Sequence, residues 1–273
     1  MEVLWIFLGL PALVALILFW PSITLRRALA QPFPASHAAI LARHIPFWRE
    51  MAPPLQMQLK RLVKQFLHQK KFIGCDGLTV TDEMRVAIAG QACMLLLNRK
   101  TGVYPSLRHI LLYPSAFVVP RTEFGVGGVV THASQTLAGE SWNDGRVILA
   151  WDHVQQAAFE REPAHNVVWH EFAHQLDSES GHTNGAPLLP SKNAYRYWSS
   201  IMAHEFERLQ QEAEWEIPGV IDHYGASNPA EFFAVATETF FGRPLEMAEQ
   251  HPALFELLQK YYRVDPRAWR GLA

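Results

Sequence analysis

The stretch His170-Glu171-Phe172-Ala173-His174 constrains this chain more than any other, because its spacing has chemical meaning only on a helix beside a cleft. On an α-helix, positions i and i+4 lie nearly above one another, about 6 Å apart along the axis. Two imidazoles so placed can converge on one ion at roughly 2.0–2.1 Å, the distance zinc asks of a histidine nitrogen. The residue after the first histidine sits about 100° round the helix, beside such an ion rather than on it. A glutamate there can take a proton from a metal-activated water. Val168, Phe172 and Leu176 recur at i, i+4 and i+8 and give the helix an apolar face. The two histidines point away from that stripe, so one side of the helix is buried and the other opens on a cleft. Glu162-Pro163 are the expected helix start, since proline and acids suit a helix N-terminus. The competing reading is a surface helix with two solvated histidines.

A catalytic zinc site usually has three protein ligands and one open position. A third histidine six residues beyond the second would define one protease class, but that position is Ser180. His182 follows Gly181 and reads as loop, and a second His-Glu pair, His204-Glu205, has Arg208 where the partner histidine would stand. The third donor is expected downstream, in Tyr224-Gly-Ala-Ser-Asn-Pro-Ala-Glu231-Phe-Phe-Ala. Asn228 is a plausible N-cap with Pro229 at the first helical position. Glu231 is then either a metal ligand or a capping-box residue serving only its own helix end. The apolar residues Phe232 to Ala236 predict a buried helix, where a carboxylate needs a partner. Glu238 lies about 10 Å further along the same face, so both glutamates cannot bind one ion. Glu231 ranks first as ligand, and Glu238 and Asp177 are the candidates to accept a hydrogen bond from a ligating imidazole.

With these residues in view, His-Glu-Phe-Ala-His-Gln-Leu-Asp, Tyr224 and Ala-Glu231-Phe-Phe-Ala resemble the Mlc titration factor A family of zinc peptidases. The chain is more distantly similar to the catalytic domain of the lethal-factor metalloprotease. Residues 110–119 and Gly139-Glu-Ser-Trp142 share in the resemblance, which spans roughly residues 45 to 265. It implies a zincin-like α+β domain, mostly helical with a small mixed sheet. It also implies that His170, His174 and Glu231 bind Zn2+, that Glu171 is the general base and that Tyr224 steadies the oxyanion. Peptides or proteins are the implied substrates, with aminopeptidase action as one option. The resemblance implies a second possible partner, because the family includes a member that sequesters a transcriptional repressor. A purely structural zinc site is a third reading, which would leave Glu171 without a purpose.

With 24 Lys+Arg against 26 Asp+Glu and a formal charge of −2, nothing in the composition suggests nucleic-acid binding. Lys60, Arg61, Lys64, Lys70 and Lys71 form the densest basic cluster and read as a solvated face. Cys75 and Cys93 have no metal or disulfide spacing and read as reduced thiols. Val3 to Trp20 is uncharged and overwhelmingly apolar, about long enough to cross a bilayer. Arg26 and Arg27 follow it, which places the domain behind them in the cytoplasm under the positive-inside rule. The rivals are a cleaved export signal ending near Ala28-Leu29-Ala30, and a soluble chain.

The expected organisation is a transmembrane anchor over 1–25, a proline-containing linker over 26–50 and the metallopeptidase domain over 51–273. Within the domain we expect helices over 55–69 and 82–98, a strand near 77–81, and a strand over 107–119 interrupted at Pro114. A further strand is expected over 146–151, and mainly helix from Ser191 to Arg263, with Tyr261-Tyr262 closing it. Val147, Ile148 and Leu149 are expected as an edge strand that receives the substrate backbone.

Overall fold

The computed structural model describes residues 18–124, 130–137, 139–142, 145–159 and 165–270. The Val3–Trp20 run lies almost wholly outside them, and among the described residues no helix is long and apolar enough to cross a membrane. The first described helix, α1, covers residues 18–30. Its end is held by Lys64 Nζ, which donates to the carbonyls of Leu29 and Gln31.

The stretch expected as a linker is largely helical. Helix α2, Ala35–His44, buries Ile40, Leu41 and His44. Helix α3, Pro53–Gln69, follows with Leu59, Val63 and Phe66 inside. Prolines there begin helices rather than break them: Pro34 is the N-cap residue of α2 and Pro53 the first residue of α3. Proline tolerates the first turn because no intrahelical N–H is needed there.

Strand β1 is Lys71–Gly74, not the expected 77–81, where Asp76 and Gly77 take positive φ and make a turn. Thr81, rather than Asp82, caps helix α4, Asp82–Met94, by accepting from Met84 N at 3.3 Å. Lys70, expected on a solvated face, is buried and donates from Nζ to the Tyr104 and Leu107 carbonyls at 2.6 and 2.8 Å. Burial pulls its ammonium down to about 8.

The strand expected over 107–119 divides into β2, His109–Tyr113, and β3, Phe117–Phe124. β3 pairs antiparallel with β4, Val130–Leu137. Strands β5, Gly139–Trp142, and β6, Arg146–Ala150, complete a four-stranded mixed sheet of order β1-β2-β6-β5. β1, β2 and β6 run parallel and β5 lies antiparallel on β6. Val147, Ile148 and Leu149 are therefore interior: β6 is paired on both sides and these side chains are buried. They cannot receive a substrate strand, and the edge beside them is β5. A continuous apolar run signals an inner strand of a sheet covered on both faces, whereas an edge is set by pairing alone.

Helix α5, Trp151–Phe159, leads to α6, Val167–Asp177, which carries the paired histidines. α7, Lys192–Glu214, α8, Pro229–Gly242, α9, Pro244–Gln250, and α10, Pro252–Tyr262, make the chain mainly helical from Lys192 onward. This is an α+β fold. α8 is buried from Phe232 to Gly242 and packs along α6, while β5 and β6 touch the other side of α6. Tyr262 closes the far side, buried against Phe240 and hydrogen-bonded to Thr237 Oγ1 at 2.8 Å.

Val168, Phe172 and Leu176 of α6 are all fully buried. Phe172 meets Tyr104 and Phe66 at ring separations of 4.8 and 5.7 Å. Phe172→Ala is expected to cost about 3–5 kcal/mol, read as a lowered urea midpoint with unchanged slope. A change below about 1 kcal/mol would show that this ring does not anchor α6.

Candidate metal centre

α6 starts four residues after Pro163. Asn166 is its N-cap and accepts from Trp169 N at 3.0 Å, and Glu162-Pro163 lie outside the described residues. With the apolar stripe locked into the core, His170 and His174 face the cleft, partly exposed and with ring centroids 4.9 Å apart.

α8 brings the third donor. Asn228 caps it, accepting from Ala230 N and Glu231 N at 3.0 Å each. The Glu231 side chain turns to the histidines instead of back to its own helix end. Its Oε2 stands 3.0 Å from His170 Nε2 and 3.5 Å from His174 Nε2, and the two Nε2 atoms are 3.2 Å apart. Three donors around a tetrahedral ion at zinc's bond lengths would be about 3.3 Å from one another. Glu231 Oε2 lies against the two imidazole nitrogens, and His174 Nδ1, also buried, has no hydrogen-bond partner among the described residues. The observed triangle of one oxygen and two nitrogens therefore fits a small divalent cation. Among the described residues, His170, His174 and Glu231 form the one cluster of this kind.

Electrostatics bind the triangle together without an ion. Burial opposes the charged form of His170, but hydrogen bonds to Glu231 and Glu238 overcome it and hold the imidazole well above its usual range. Burial likewise opposes ionisation of Glu231, yet its histidine partners hold the carboxyl far below the usual carboxylate range. A bound cation would replace the shared proton as the source of positive charge.

Around the triangle, Glu238 Oε1 accepts from His170 Nδ1 at 2.7 Å, and its Oε2 accepts from Asn166 N at 2.5 Å. Asn166 Nδ2 donates in turn to Gln91 Oε1 at 2.9 Å. Asp177, the other acceptor candidate, makes no hydrogen bond to either histidine, and its Oδ1 has no partner among the described residues. It is fully buried and its Oδ2 accepts from Gly185 N at 2.7 Å, pinning the loop that carries Thr183 into the cleft. His204-Glu205 serves packing: Glu205 Oε2 meets buried His251 Nδ1 at 2.6 Å.

Glu171 lies beside the triangle, 4 % exposed, with Oε2 unpaired among the described residues. Burial pushes its carboxyl up to about 7, against the pull of His170 and His174. Gly139 of β5 makes room for it: a Cβ there would lie 2.6 Å from Glu171 Oε1 and 2.7 Å from Val167 Cγ2. Tyr224 stands at the rim, 48 % exposed, its ring centroid 6.0 Å from that of His170. The whole cleft, about 260 Å3, is lined by these groups with Ser141 and Thr183.

Residues 21–263 match the family described as glucose-regulated metallo-peptidase M90. The chain belongs to the M90 family. It is 42% identical over 265 residues to an uncharacterized protein of Synechocystis sp., covering 97% of this chain and 96% of the relative. It is 32% identical over 230 residues to Mlc titration factor A of Yersinia pestis and of Yersinia pseudotuberculosis, covering 83% of this chain and 84% of each relative. Membership in a metallopeptidase family implies a metal, and the cluster of His170, His174 and Glu231 offers donors for one.

Several residues around the triangle were not singled out in the sequence. Asn166 has the local role of an N-cap, but its donation to Gln91 is a contact of the packed core, and Gln91 carries no local signal. Gly139 sits in a stretch shared with the family, but its reason, clearance for Glu171, is a tertiary one. Ser141 accepts from Gln175 Nε2 at 2.7 Å and so fastens β5 to α6. Substituting Glu238→Gln is expected to weaken metal binding about 10–100-fold, measured by competition with a chelator, while the circular dichroism spectrum stays unchanged. Undiminished affinity would remove Glu238 from the site.

Proposed function

We propose that this chain is a zinc-dependent metallopeptidase with a zincin-like domain, in which His170, His174 and Glu231 hold the ion and Glu171 moves the proton. The observation that carries the reading is the donor triangle of 3.0, 3.2 and 3.5 Å beside a buried glutamate with an unpaired oxygen. Held there, zinc would act as a Lewis acid and make water acidic enough to attack a carbonyl near neutral pH.

The chain's own residues do the rest. Glu238 takes the Nδ1 proton of His170, so that the Nε2 lone pair faces the triangle. Glu171, with its proton affinity raised to about 7, can accept a proton from water and return it to the leaving amine. Tyr224 supplies an O–H donor at the rim for the oxygen that gains charge. β5 offers backbone groups at the sheet edge, and Gly139 and Ser141 place that edge at the cleft, which suits an extended peptide bound by strand addition. We assign the substrate strand to β5.

The name Mlc titration factor A, carried by the Yersinia relatives, supports a second reading, in which the chain binds a regulatory protein such as a transcriptional repressor. We also propose that the apolar Val3–Trp20 run tethers the chain to a membrane, with the domain on the cytoplasmic, arginine-bearing side.

Glu171→Gln is expected to lower turnover of peptide reporters about 100-fold or more while zinc content stays at parity. Equal activity in parent and variant would end the catalytic reading. If neither cleaves while both retain a repressor on a column, the regulatory reading takes its place. Tyr224→Phe should reduce kcat about 100-fold with KM little changed, and a change confined to KM would reassign Tyr224 to substrate binding. For the tether, full-length chain should sediment with membranes after a high-salt wash and need detergent for release; release by salt alone argues against it.

A further inference from the structure

On a face lined by none of the cleft residues lies a second cavity of about 520 Å3, twice the volume of the cleft itself. Its walls are apolar and aromatic: Leu188, Tyr197, Trp198, Leu257 and Tyr261. Its rim is basic, with Arg99, Lys100, Lys260 and Arg263, and no acidic side chain lines it among the described residues. Lys260 is engaged by Glu256 at 3.7 Å, and Glu179 lies close enough to Arg99 to feel its charge. Lys100 and Arg263 have no ion pair among the described residues.

Two further observations point to a ligand. The Arg99 guanidinium lies 4.3 Å over the Tyr261 ring, which fixes a positive charge against an aromatic wall. That charge, with the exposed Lys100 and Arg263, suits an anionic group. The walls are also preformed. Trp198 Nε1 donates to the Gly185 carbonyl at 2.8 Å, and Trp198 and Tyr261 pack edge to face at 5.3 Å. A cavity of this size with apolar walls and a few convergent polar groups has the character of a small-molecule site.

We propose that this cavity binds an amphipathic anion: one carboxylate or phosphate head on an aliphatic or aromatic body. The head meets Lys100 and Arg263 at the rim, with Arg99 adding to the positive field. The body lies on Leu188, Leu257 and the Tyr197 and Trp198 rings. Such a ligand could be a free organic acid or the phosphate-bearing end of a lipid, and the chemistry of recognition is the same for both.

The probe is decanoate, titrated calorimetrically into the full chain below its micellar range. We expect one saturable site per chain and binding of decanol weaker by about tenfold or more. The exposed pair Lys100→Glu with Arg263→Glu should weaken decanoate about tenfold or more at an unchanged melting temperature. Leu188→Glu, at another exposed position, should do the same if the double variant proves unstable. His174→Ala, altered only in the cleft, should bind decanoate as the parent does. Decyl phosphate binding more tightly than decanoate assigns the head to a lipid-like phosphate, and the reverse order assigns it to a free acid; either supports the site. The proposal is overturned if neither probe saturates, if decanol binds equally well, or if His174→Ala rather than the charge reversals abolishes binding.

Discussion

One buried carboxylate organises this molecule. Glu238 reaches from α8 to α6, accepting from the backbone of Asn166 with one oxygen and from His170 with the other. Hydrogen bonds to charged groups contribute about 1.5–3 kcal/mol each, and losing one partner of a buried pair costs more than the pair is worth. Their larger effect is geometric. The cap of α6 and the rotamer of its first histidine are set by the same side chain that belongs to the helix bearing Glu231. The two halves of the donor triangle are thus registered against each other by a contact about two turns further along α8.

Everything around that contact keeps α6 and α8 in place. Phe172 and Leu176 press one side of α6 into the aromatic core, and the β5–β6 edge covers another. Gly139 lets β5 come within a carboxylate's width of Glu171, and Gly185, pressed against the Pro229 carbonyl, lets the loop after α6 pass close over the start of α8. Asp177 ties that loop from below and Trp198 from the opposite side. The loop therefore lines the cleft at Thr183 and the second cavity at Leu188. Two sites of different chemistry share one strap of backbone.

Much of the site was legible in the chain because its residues obey local rules. Histidines at i and i+4 need only a helix to converge, and the apolar stripe of α6 says which way they face. Asn228-Pro229 announces the start of α8, so Glu231 could be placed on its first turn. Long-range relations were not legible in the same way. Nothing near Asp177 in sequence says that it holds Gly185 and leaves His170 to Glu238. Nothing in Val147-Ile148-Leu149 says that β5 will pair outside β6 and take the edge. The prolines between residues 21 and 54 suggested irregular chain, although several of them simply start helices.

The sequence by itself determined the chemistry on offer: two imidazoles and a base on one helical turn, a carboxylate at the start of a later helix, and an apolar stripe that orients the first. These follow from the pitch of a helix and the burial of apolar side chains, which act over a few residues. Only the tertiary structure decided which acid would complete the triangle, which would orient His170, and which strand would border the cleft. Those outcomes depend on the packing of α8 against α6, joined by contacts between residues 68 and 72 positions apart, and on the pairing of β6 with β2 and β5.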